Sequence, residues 1–210
     1  MKLKTQTTMK KQLILVLLFP IIALAQQPLR RADAKFEKES YISAIKIYEH
    51  LANKGKGTAE IYEKLGDANY FNANYIQAQK WYEKRYALNA PFPEGFLYRY
   101  SQSLKSAAKQ EEAQKVMAEY AKEKPTELRV RNQTPTLRAQ NSIKKGSDTF
   151  SITNLNINSK YSDFSSTFKG DTLLFASARP RIIANQIYQR TGQVFTNLYY
   201  SVKSNDTVTT

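Results

Sequence analysis

The sequence predicts an α+β protein with an α-helical repeat array in its N-terminal half and a β segment in its C-terminal half. Two observations lead to this prediction. Stretches beginning at Tyr41 and Tyr75 repeat one another at an offset of 34 residues, which is the size of a helix–turn–helix unit. From residue 148 onward the apolar residues follow the short period of strands, and Gly170-Asp171 marks a hairpin turn.

The first 25 residues have the features of a secretory signal peptide. Four lysines precede an apolar run from Leu13 to Leu24, and the small residues Ala23 and Ala25 close it. The run is too short to span the roughly 30 Å core of a bilayer. We therefore expect the mature chain to begin at Gln26, to lie outside the cytoplasm and to contain no transmembrane span. The alternative is an uncleaved N-terminal anchor.

The composition argues against catalysis within this chain. Of 210 residues none is Cys and one is His, which excludes cysteine nucleophiles and thiolate metal sites and disfavours a His-based triad. The formal charge of +14 becomes +10 once the four lysines of residues 1–25 are removed. This excess is spread thinly along the chain, which is a weak indication of nucleic-acid binding. The sequence therefore predicts no enzyme activity, no cofactor, no metal site and no nucleic-acid partner.

The repeat has three copies. Six pairs of positions are identical at the offset of 34, namely Tyr41/Tyr75, Ile42/Ile76, Ala44/Ala78, Lys46/Lys80, Tyr48/Tyr82 and Glu49/Glu83. A third copy follows at an offset of 35, with Ala113 in the place of Ala78 and Met117 in the place of Tyr82. The alanine predicts a close approach of two helices. Pro125 ends the array, because proline disfavours helix at the residue before it.

The second copy resembles the tetratricopeptide repeat at Leu65-Gly66, Tyr75, Ala78 and Tyr82. The resemblance covers residues 26–125 and implies a solenoid of about three helix pairs. In that family the first helices of the pairs line a concave binding groove. The partner-binding residues that the resemblance implies here are Asp33, Phe36, Glu63, Asp67, Tyr70, Tyr98, Gln102 and Lys105. This groove suits a basic or polar peptide, and the alternative is a solvated helix face.

Residues 126–147 are polar and basic, and we interpret them as a linker that also caps the array. Residues 148–210 are interpreted as a β segment. In it Phe150, Ile152 and Leu155 are strand-like, and a turn at Asn158-Ser159 follows them. The clearest strands are predicted over 172–176 and 197–202.

The stretch from Tyr161 to Arg179 is similar to the WD40-like (PD40) blade of TolB-type β-propellers, with the pattern S-D-F…F…G…L-x-F-x-S-x-R. The resemblance implies structural roles for Asp163, Ser177 and Arg179 at the turns between strands. A propeller needs about four or more blades. Residues 148–210 are therefore expected to be the first blade of a truncated propeller, and the chain the N-terminal part of a longer protein.

A signal peptide, a short tetratricopeptide array and a PD40 segment together resemble the architecture of large OmpA-family proteins of the Gram-negative envelope. The resemblance implies a non-enzymatic scaffold in the periplasm, associated with the outer membrane, whose groove docks periplasmic or outer-membrane proteins. Some relatives belong to the type IX secretion machinery, and in the family a C-terminal domain that this sequence lacks binds peptidoglycan. The link to the cell wall is expected only through such a domain.

Two other functions stay open at this point. The chain is alternatively the N-terminal region of an envelope hydrolase with a PD40 propeller, although it has no G-x-S-x-G and its one histidine, His50, lies on a repeat helix. It is alternatively a module that binds anionic surfaces such as lipid headgroups. The basic residues that would do so are Arg129, Arg131, Arg138, Lys144 and Lys145.

Overall fold

The computed structural model describes residues 26–132, 151–181, 186–204 and 207–209. Within these residues the chain is an α+β protein, which confirms the predicted class. The chain divides into two compact units, with the division between Ala113 and Gln114, and each unit is described by itself. The predicted signal peptide (1–25) and residues 133–147 of the predicted linker lie outside the described residues.

Residues 26–132 contain seven α-helices. They are α1 (26–37), α2 (Tyr41–Leu51), α3 (Ala59–Phe71), α4 (Tyr75–Ala87), α5 (Phe96–Ser106), α6 (Gln110–Glu123) and α7 (Leu128–Arg131). A π-helical turn, Ala52–Lys56, extends α2. None of the helices in the described ranges is long and apolar enough to cross a membrane.

Local sequence explains where several helices begin and end. Pro28 lies in the first turn of α1, where a missing backbone N–H costs nothing. Thr58 caps α3, since its hydroxyl accepts a hydrogen bond from the Ile61 N–H at 3.2 Å. The helix α6 ends at Glu123, two residues before Pro125, as the sequence predicts.

The same tight turn joins α1 to α2, α3 to α4 and α5 to α6. At each turn one residue has a left-handed backbone, with φ of 53° at Glu39, 57° at Ala73 and 60° at Ala108. The next N–H then closes the preceding helix, in the bonds Ser40 N to Lys35 O, Asn74 N to Asn69 O and Lys109 N to Leu104 O at 2.9, 2.8 and 2.9 Å. These positions follow the offsets of 34 and 35 residues, so the backbone repeats with the sequence.

We call the first unit, of which residues 26–113 are described, the helical unit. Its core confirms the positions that the repeat predicts. The alanines of the three copies, Ala44, Ala78 and Ala113, are fully buried. Tyr48 and Tyr82 are also fully buried one turn later. A Cβ at Gly66 would overlap the ring of Tyr82, which explains why glycine occupies this position of α3.

The second unit contains a four-stranded antiparallel sheet in the order β1 (Asp163–Lys169), β2 (Thr172–Ser177), β3 (Asn197–Ser204) and β4 (Thr207–Thr209). The predicted strands over 172–176 and 197–202 are thereby confirmed. Gly170, with φ of 58°, makes the tight turn between β1 and β2. Leu173 and Phe175 are buried with Ile157 in a small core on one face of the sheet.

One local prediction is wrong. Residues 151–155 form no strand, although Ile152 and Leu155 suggested one. Ile152 is 95% exposed, so this stretch has no sheet to pack against. The asparagines at 154, 156 and 158 favour turns, because their side chains compete with ladder hydrogen bonds for the backbone. Among the described residues the first strand begins instead at Asp163.

Candidate binding groove

The eight residues predicted to line a groove lie on the first helices of the three pairs. The helix α1 carries Asp33 and Phe36, α3 carries Glu63, Asp67 and Tyr70, and α5 carries Tyr98, Gln102 and Lys105. All eight side chains are half-buried, which is the exposure expected of a groove wall and not of a core. The helix α3 contacts α1 through Lys64 and contacts α5 through Arg99, so the three first helices lie side by side.

Asp33 takes part in a three-residue contact that we call the first clamp. The Tyr48 hydroxyl on α2 donates a hydrogen bond to Asp33 Oδ1 at 2.6 Å. Lys64 Nζ on α3 lies 3.7 Å from the same oxygen. The carboxylate of α1 is therefore bound by a residue of its own pair and by a residue of the next pair.

The second clamp repeats this contact one pair later. The Tyr82 hydroxyl donates to Asp67 Oδ1 at 2.5 Å. Arg99 Nε and Nη2 donate to Asp67 Oδ1 and Oδ2 at 2.7 and 3.2 Å, which is a two-pronged contact of the guanidinium with the carboxylate. At the equivalent places of the third pair stand Gln102 and Met117, which offer neither a carboxylate nor a phenol.

Burial keeps the clamp phenols protonated. Burial raises the pKa of the Tyr82 hydroxyl well above its ordinary value, and the neighbouring Asp67 carboxylate raises it further. Burial and the hydrogen bond to Asp33 likewise raise the pKa of Tyr48. Both hydroxyls therefore stay protonated, and donate to their carboxylates, to a higher pH than an exposed tyrosine would.

Glu63 has a partner inside its own helix pair. Arg85 Nε lies 3.4 Å from Glu63 Oε2, and the guanidinium is almost fully buried. Arg85 Nη2 donates to the Pro91 carbonyl at 2.6 Å, and the guanidinium lies over the ring of Phe92 with its centroid at 5.2 Å. Arg85 therefore fixes the connection between α4 and α5. Burial raises the pKa of Glu63, as does nearby Asp67, against the opposing effect of Arg85.

Aromatic rings form a continuous series beside the groove. Phe36 and Tyr41 have their ring centroids 5.5 Å apart, and Tyr41 and Phe71 have theirs 5.9 Å apart. Tyr70 contacts Phe71 at 5.8 Å and Tyr75 at 5.4 Å. Phe71 is 42% and Tyr75 38% exposed, so the series reaches the surface at the turn between α3 and α4.

The second unit has its own charged network, built from the residues of the predicted blade motif. Asp163 accepts hydrogen bonds from the Ser159 N–H at 2.6 Å, the Ser159 hydroxyl at 2.8 Å and Arg179 Nη2 at 3.0 Å. Arg179 also donates to Ser177 Oγ at 2.8 Å and to the Ile157 carbonyl at 2.9 Å. The predicted structural role of Asp163, Ser177 and Arg179 is thus consistent with their contacts.

These contacts change the acidity of Asp163. Burial on its own would raise the pKa of this carboxyl group. Hydrogen bonds from Ser177, Ser159 and Arg179 outweigh burial and hold the pKa well below its ordinary 3.8. Apolar side chains, including those of Ile157, Leu173 and Phe175, line a cavity of about 180 Å³ beside the carboxylate.

The residues of the alternative functions are placed as follows. His50 is exposed near the end of α2. Arg129 lies 3.2 Å from Glu127, and Arg131 is exposed at the end of α7. The other three basic residues, Arg138, Lys144 and Lys145, lie outside the described residues. In the described ranges no cluster of three or more His, Asp or Glu side chains is placed to hold a metal ion.

Sequence reasoning found the carboxylates of the clamps but missed their cations. Lys64 and Arg99 are 35 residues apart, which is the offset between the second and third copies, and this match was visible in the sequence. The buried position of Arg85 had no such signal, because charged residues are rarely buried. Comparison with known proteins identifies no relative of this chain. No protein-family model, no curated protein and no solved structure matches it.

Proposed function

We propose that this chain is a non-enzymatic protein–protein interaction scaffold of the Gram-negative envelope, and that residues 26–125 are a tetratricopeptide-like array whose groove docks partner proteins. The observation that carries the proposal is the recurrence of the clamp. The ion pairs of the clamps, Lys64 with Asp33 and Arg99 with Asp67, each join one first helix to the next. Such alignment gives a repeat array one continuous binding surface.

The proposal extends to the second unit and to the location of the protein. Residues 148–210 are proposed to be the first blade of a PD40-like propeller, supported by the network of Asp163 and Arg179 at two motif positions. The chain is proposed to be periplasmic and associated with the outer membrane, as an OmpA-family protein of a secretion or envelope complex. A link to peptidoglycan would belong to a domain outside these 210 residues.

Capture of partners from the envelope tests the docking function. A tagged mature chain, 26–210, is incubated with a crosslinked periplasmic and outer-membrane extract of the source bacterium, and bound proteins are identified by mass spectrometry. Tyr98→Ala combined with Lys105→Glu changes the groove without touching either clamp. We expect this double variant to lose most of the captured partner, by about tenfold.

A matched double variant outside the groove controls for nonspecific effects. Lys80→Glu on the exposed surface of α4 and Tyr188→Ala in the second unit make the same chemical changes elsewhere. This control should capture as much partner as the unchanged chain. Recovery of no envelope protein, or an equal loss in both double variants, would contradict the proposal.

The location is tested separately by the site of signal-peptide cleavage. When the full chain is expressed in a Gram-negative host, the periplasmic fraction should contain a form whose N-terminal residue is Gln26. Intact mass of the purified protein measures this directly. Retention of the whole chain in the cytoplasm would contradict export without bearing on the groove.

A further inference from the structure

The cation of the clamps recurs at a third place along the chain. Arg30 on α1 stands 34 residues before Lys64, just as Lys64 stands 35 residues before Arg99. Lys64 and Arg99 each contact a carboxylate on the first helix of the preceding pair. Arg30 is exposed, and within the described ranges no carboxylate pairs with it. A carboxylate of another molecule could therefore complete a clamp at Arg30.

One flank of α1 is exposed, although the same flank is buried in the next two first helices. On α3 and α5 the residues of this flank are buried, namely Leu65, Asn69, Tyr100 and Leu104. Leu65 lies in one core cluster with Tyr48 of the first pair, and the ring of Tyr100 contacts Tyr82 of the second pair. Arg31 and Lys35 occupy the equivalent positions of α1, and both are exposed. The flank that elsewhere packs on a preceding pair thus carries cations on α1.

The charges of α1 are separated by sign. Its two acids, Asp33 and Glu37, lie 3.7 and 3.6 Å from Lys64 on α3 and are compensated there. Its three cations, Arg30, Arg31 and Lys35, are exposed, and none of them pairs with a carboxylate of the described residues. We call these three cations the basic flank. A polar outer face keeps the end of a repeat array soluble, but acids would serve that purpose equally well. A surface of one sign also attracts a partner of the opposite sign.

The chain itself shows which carboxylates a clamp cation takes. Lys64 contacts Asp33 and Glu37, which are four residues apart and therefore lie one turn apart on one face of α1. An equivalent contact at Arg30 requires a helix with carboxylates at positions i and i+4. On α5, the last of the first helices, the matching positions hold Gln102 and Ser106. A second copy stacked end to end would thus lack the carboxylates, which favours a helix of a different protein.

We infer that the basic flank of α1 binds an acidic helix of a partner protein. Two carboxylates one turn apart on that helix meet Arg30, and further carboxylates meet Arg31 and Lys35. The helix takes the place that the preceding pair has for α3 and α5. This surface is separate from the eight groove residues. The inference rests on the proposed function only in that the mature chain begins at Gln26.

A series of helical peptides on the mature chain, 26–210, tests the partner class. Four labelled peptides of about 18 residues, each held helical by a hydrocarbon staple, are compared by fluorescence anisotropy. The first has glutamates at i, i+4 spacing along one face, and the second has the same glutamates spread around the helix. The third and fourth have glutamine or lysine in place of the glutamates of the first.

At low salt we expect the first peptide to bind at least about tenfold more tightly than the glutamine and lysine peptides, because only carboxylates pair with the basic flank. We expect it to bind at least about threefold more tightly than the second peptide, because one face then presents all the carboxylates. Its affinity should fall as NaCl is raised, since exposed charges are screened. Equal binding of the two glutamate peptides, or an affinity that salt does not lower, would overturn the inference.

Charge variants locate the binding surface. Arg30→Gln with Lys35→Gln removes two cations and keeps residues that favour helix, and we expect the first peptide to bind at least about fivefold more weakly. Lys46→Gln with Lys80→Gln removes the same charge from exposed positions of α2 and α4 and should leave the Kd unchanged. Arg30→Glu with Lys35→Glu should bind the lysine peptide more tightly than the glutamate peptide, a reversal that unfolding would not produce. Equal effects of the two glutamine variants, or no reversal in the glutamate variant, would overturn the inference.

Two other occupants of the basic flank are distinguished by separate measurements. Binding to vesicles of phosphatidylglycerol and phosphatidylcholine reports recognition of lipid headgroups, and sedimentation velocity reports association with a second copy. We expect Arg30→Gln with Lys35→Gln to change neither measurement. Loss of vesicle binding or of a dimer in that variant would assign the basic flank to lipid or to a second copy and would overturn the inference.

Failure of this inference is distinguishable from failure of the docking proposal. The basic flank shares no residue with the groove, so Tyr98→Ala with Lys105→Glu should leave the Kd of the acidic peptide unchanged. If that groove variant loses captured envelope proteins while the acidic peptide does not bind the unchanged chain, this inference is wrong and the groove proposal stands. If the acidic peptide binds but the groove variant captures as much partner as the unchanged chain, the groove proposal is wrong and this inference stands.

Discussion

Carboxylate–cation contacts hold both units of this protein, but the two units use them differently. In the helical unit the contact recurs, at Asp33 and again at Asp67, and each time it joins one helix pair to the next. Among the described residues of the sheet, Asp163 and Arg179 make one such contact, which ties a turn to the end of β2. A repeated contact distributes stability over equivalent places, whereas the sheet depends on a single network. Loss of one contact should therefore affect the sheet more than the helices.

The largest effect is expected when the core beneath a clamp is removed. Tyr82 is fully buried and contacts the rings of Phe96 and Tyr100, with centroids 5.3 and 6.2 Å away. Tyr82→Ala should lower the free energy of unfolding by about 3–5 kcal/mol, because it removes a buried ring and leaves a cavity. The only tryptophan, Trp81, lies beside it, so its fluorescence in denaturant reports this transition.

Tyr188→Ala is the control for that variant. Tyr188 is 41% exposed, so the same substitution there should change the free energy of unfolding by no more than about 0.5 kcal/mol. A small effect of Tyr82→Ala, similar to that of the control, would mean that the repeated core does not hold the helical unit.

The next largest effect tests the single network of the sheet. Arg179→Met removes the cation and both carbonyl and hydroxyl contacts, and it leaves the Asp163 carboxylate half-buried. We expect the free energy of unfolding of the sheet to fall by about 2–3 kcal/mol, which should appear as faster amide hydrogen exchange in β1 to β3. Arg179→Lys should restore only part of it, since lysine lacks the planar fork. Unchanged amide exchange in Arg179→Met would contradict the claim that the sheet depends on this single network.

The same network predicts how the sheet responds to pH. Because the pKa of Asp163 is lower in the folded protein than its ordinary 3.8, the folded state binds fewer protons than the unfolded state under acidic conditions. The stabilisation is complete above about pH 5 and is lost as the pH falls through 4 and below. Amide exchange of β1 to β3 between pH 6 and 3 should show this loss, after correction for the intrinsic exchange rate. Asp163→Asn should abolish the dependence, and an equal dependence in that variant would assign it to another group.

The sequence predicted the helical unit better than the sheet, and the reason is physical. The repeat has three copies, and each copy has alanine at the position where two helices meet. Ala44, Ala78 and Ala113 could therefore be assigned to the core from the sequence alone. The strand signal at Ile152 was local and unrepeated, and it was wrong. The groove residues followed from their positions in the repeat. Their cation partners depend on helix packing between pairs, which a search for conserved repeat positions does not reveal.

A smaller effect is expected from a variant that removes the hydrogen bond of a clamp and keeps the core intact. Tyr48→Phe keeps the ring and removes only the hydroxyl that donates to Asp33 at 2.6 Å. We expect the free energy of unfolding to fall by about 1–1.5 kcal/mol, because the variant loses a hydrogen bond to a charged group. Tyr82→Phe, which loses the equivalent bond to Asp67, should have the same effect. Similar values from Trp81 fluorescence in denaturant would support the equivalence of the two clamps. Values that differ by more than about 1 kcal/mol would break it.

The smallest effect on stability is expected on the outer face of the sheet. On that face Leu198 is 75% and Tyr200 65% exposed, and they pair across the strands with Ala176 and Leu174. Leu198→Thr with Tyr200→Thr should change the free energy of unfolding by less than about 0.5 kcal/mol, because threonine suits a strand and little burial is lost. The double variant should be more soluble, measured by the ammonium sulfate concentration at which it precipitates, since an apolar surface patch is removed.

Leu173→Thr on the inner face is the variant with which the double variant of the outer face is compared. Leu173 is 4% exposed and packs with Ile157 and Phe175, so the same kind of substitution should cost about 2–3 kcal/mol there. The helical unit buries apolar side chains where each pair packs on its neighbours, whereas the described strands bury the side chains of one face only. If Leu198→Thr with Tyr200→Thr proved as costly as Leu173→Thr, the outer face would have to be covered in solution. The sheet would then bury apolar side chains on both of its faces.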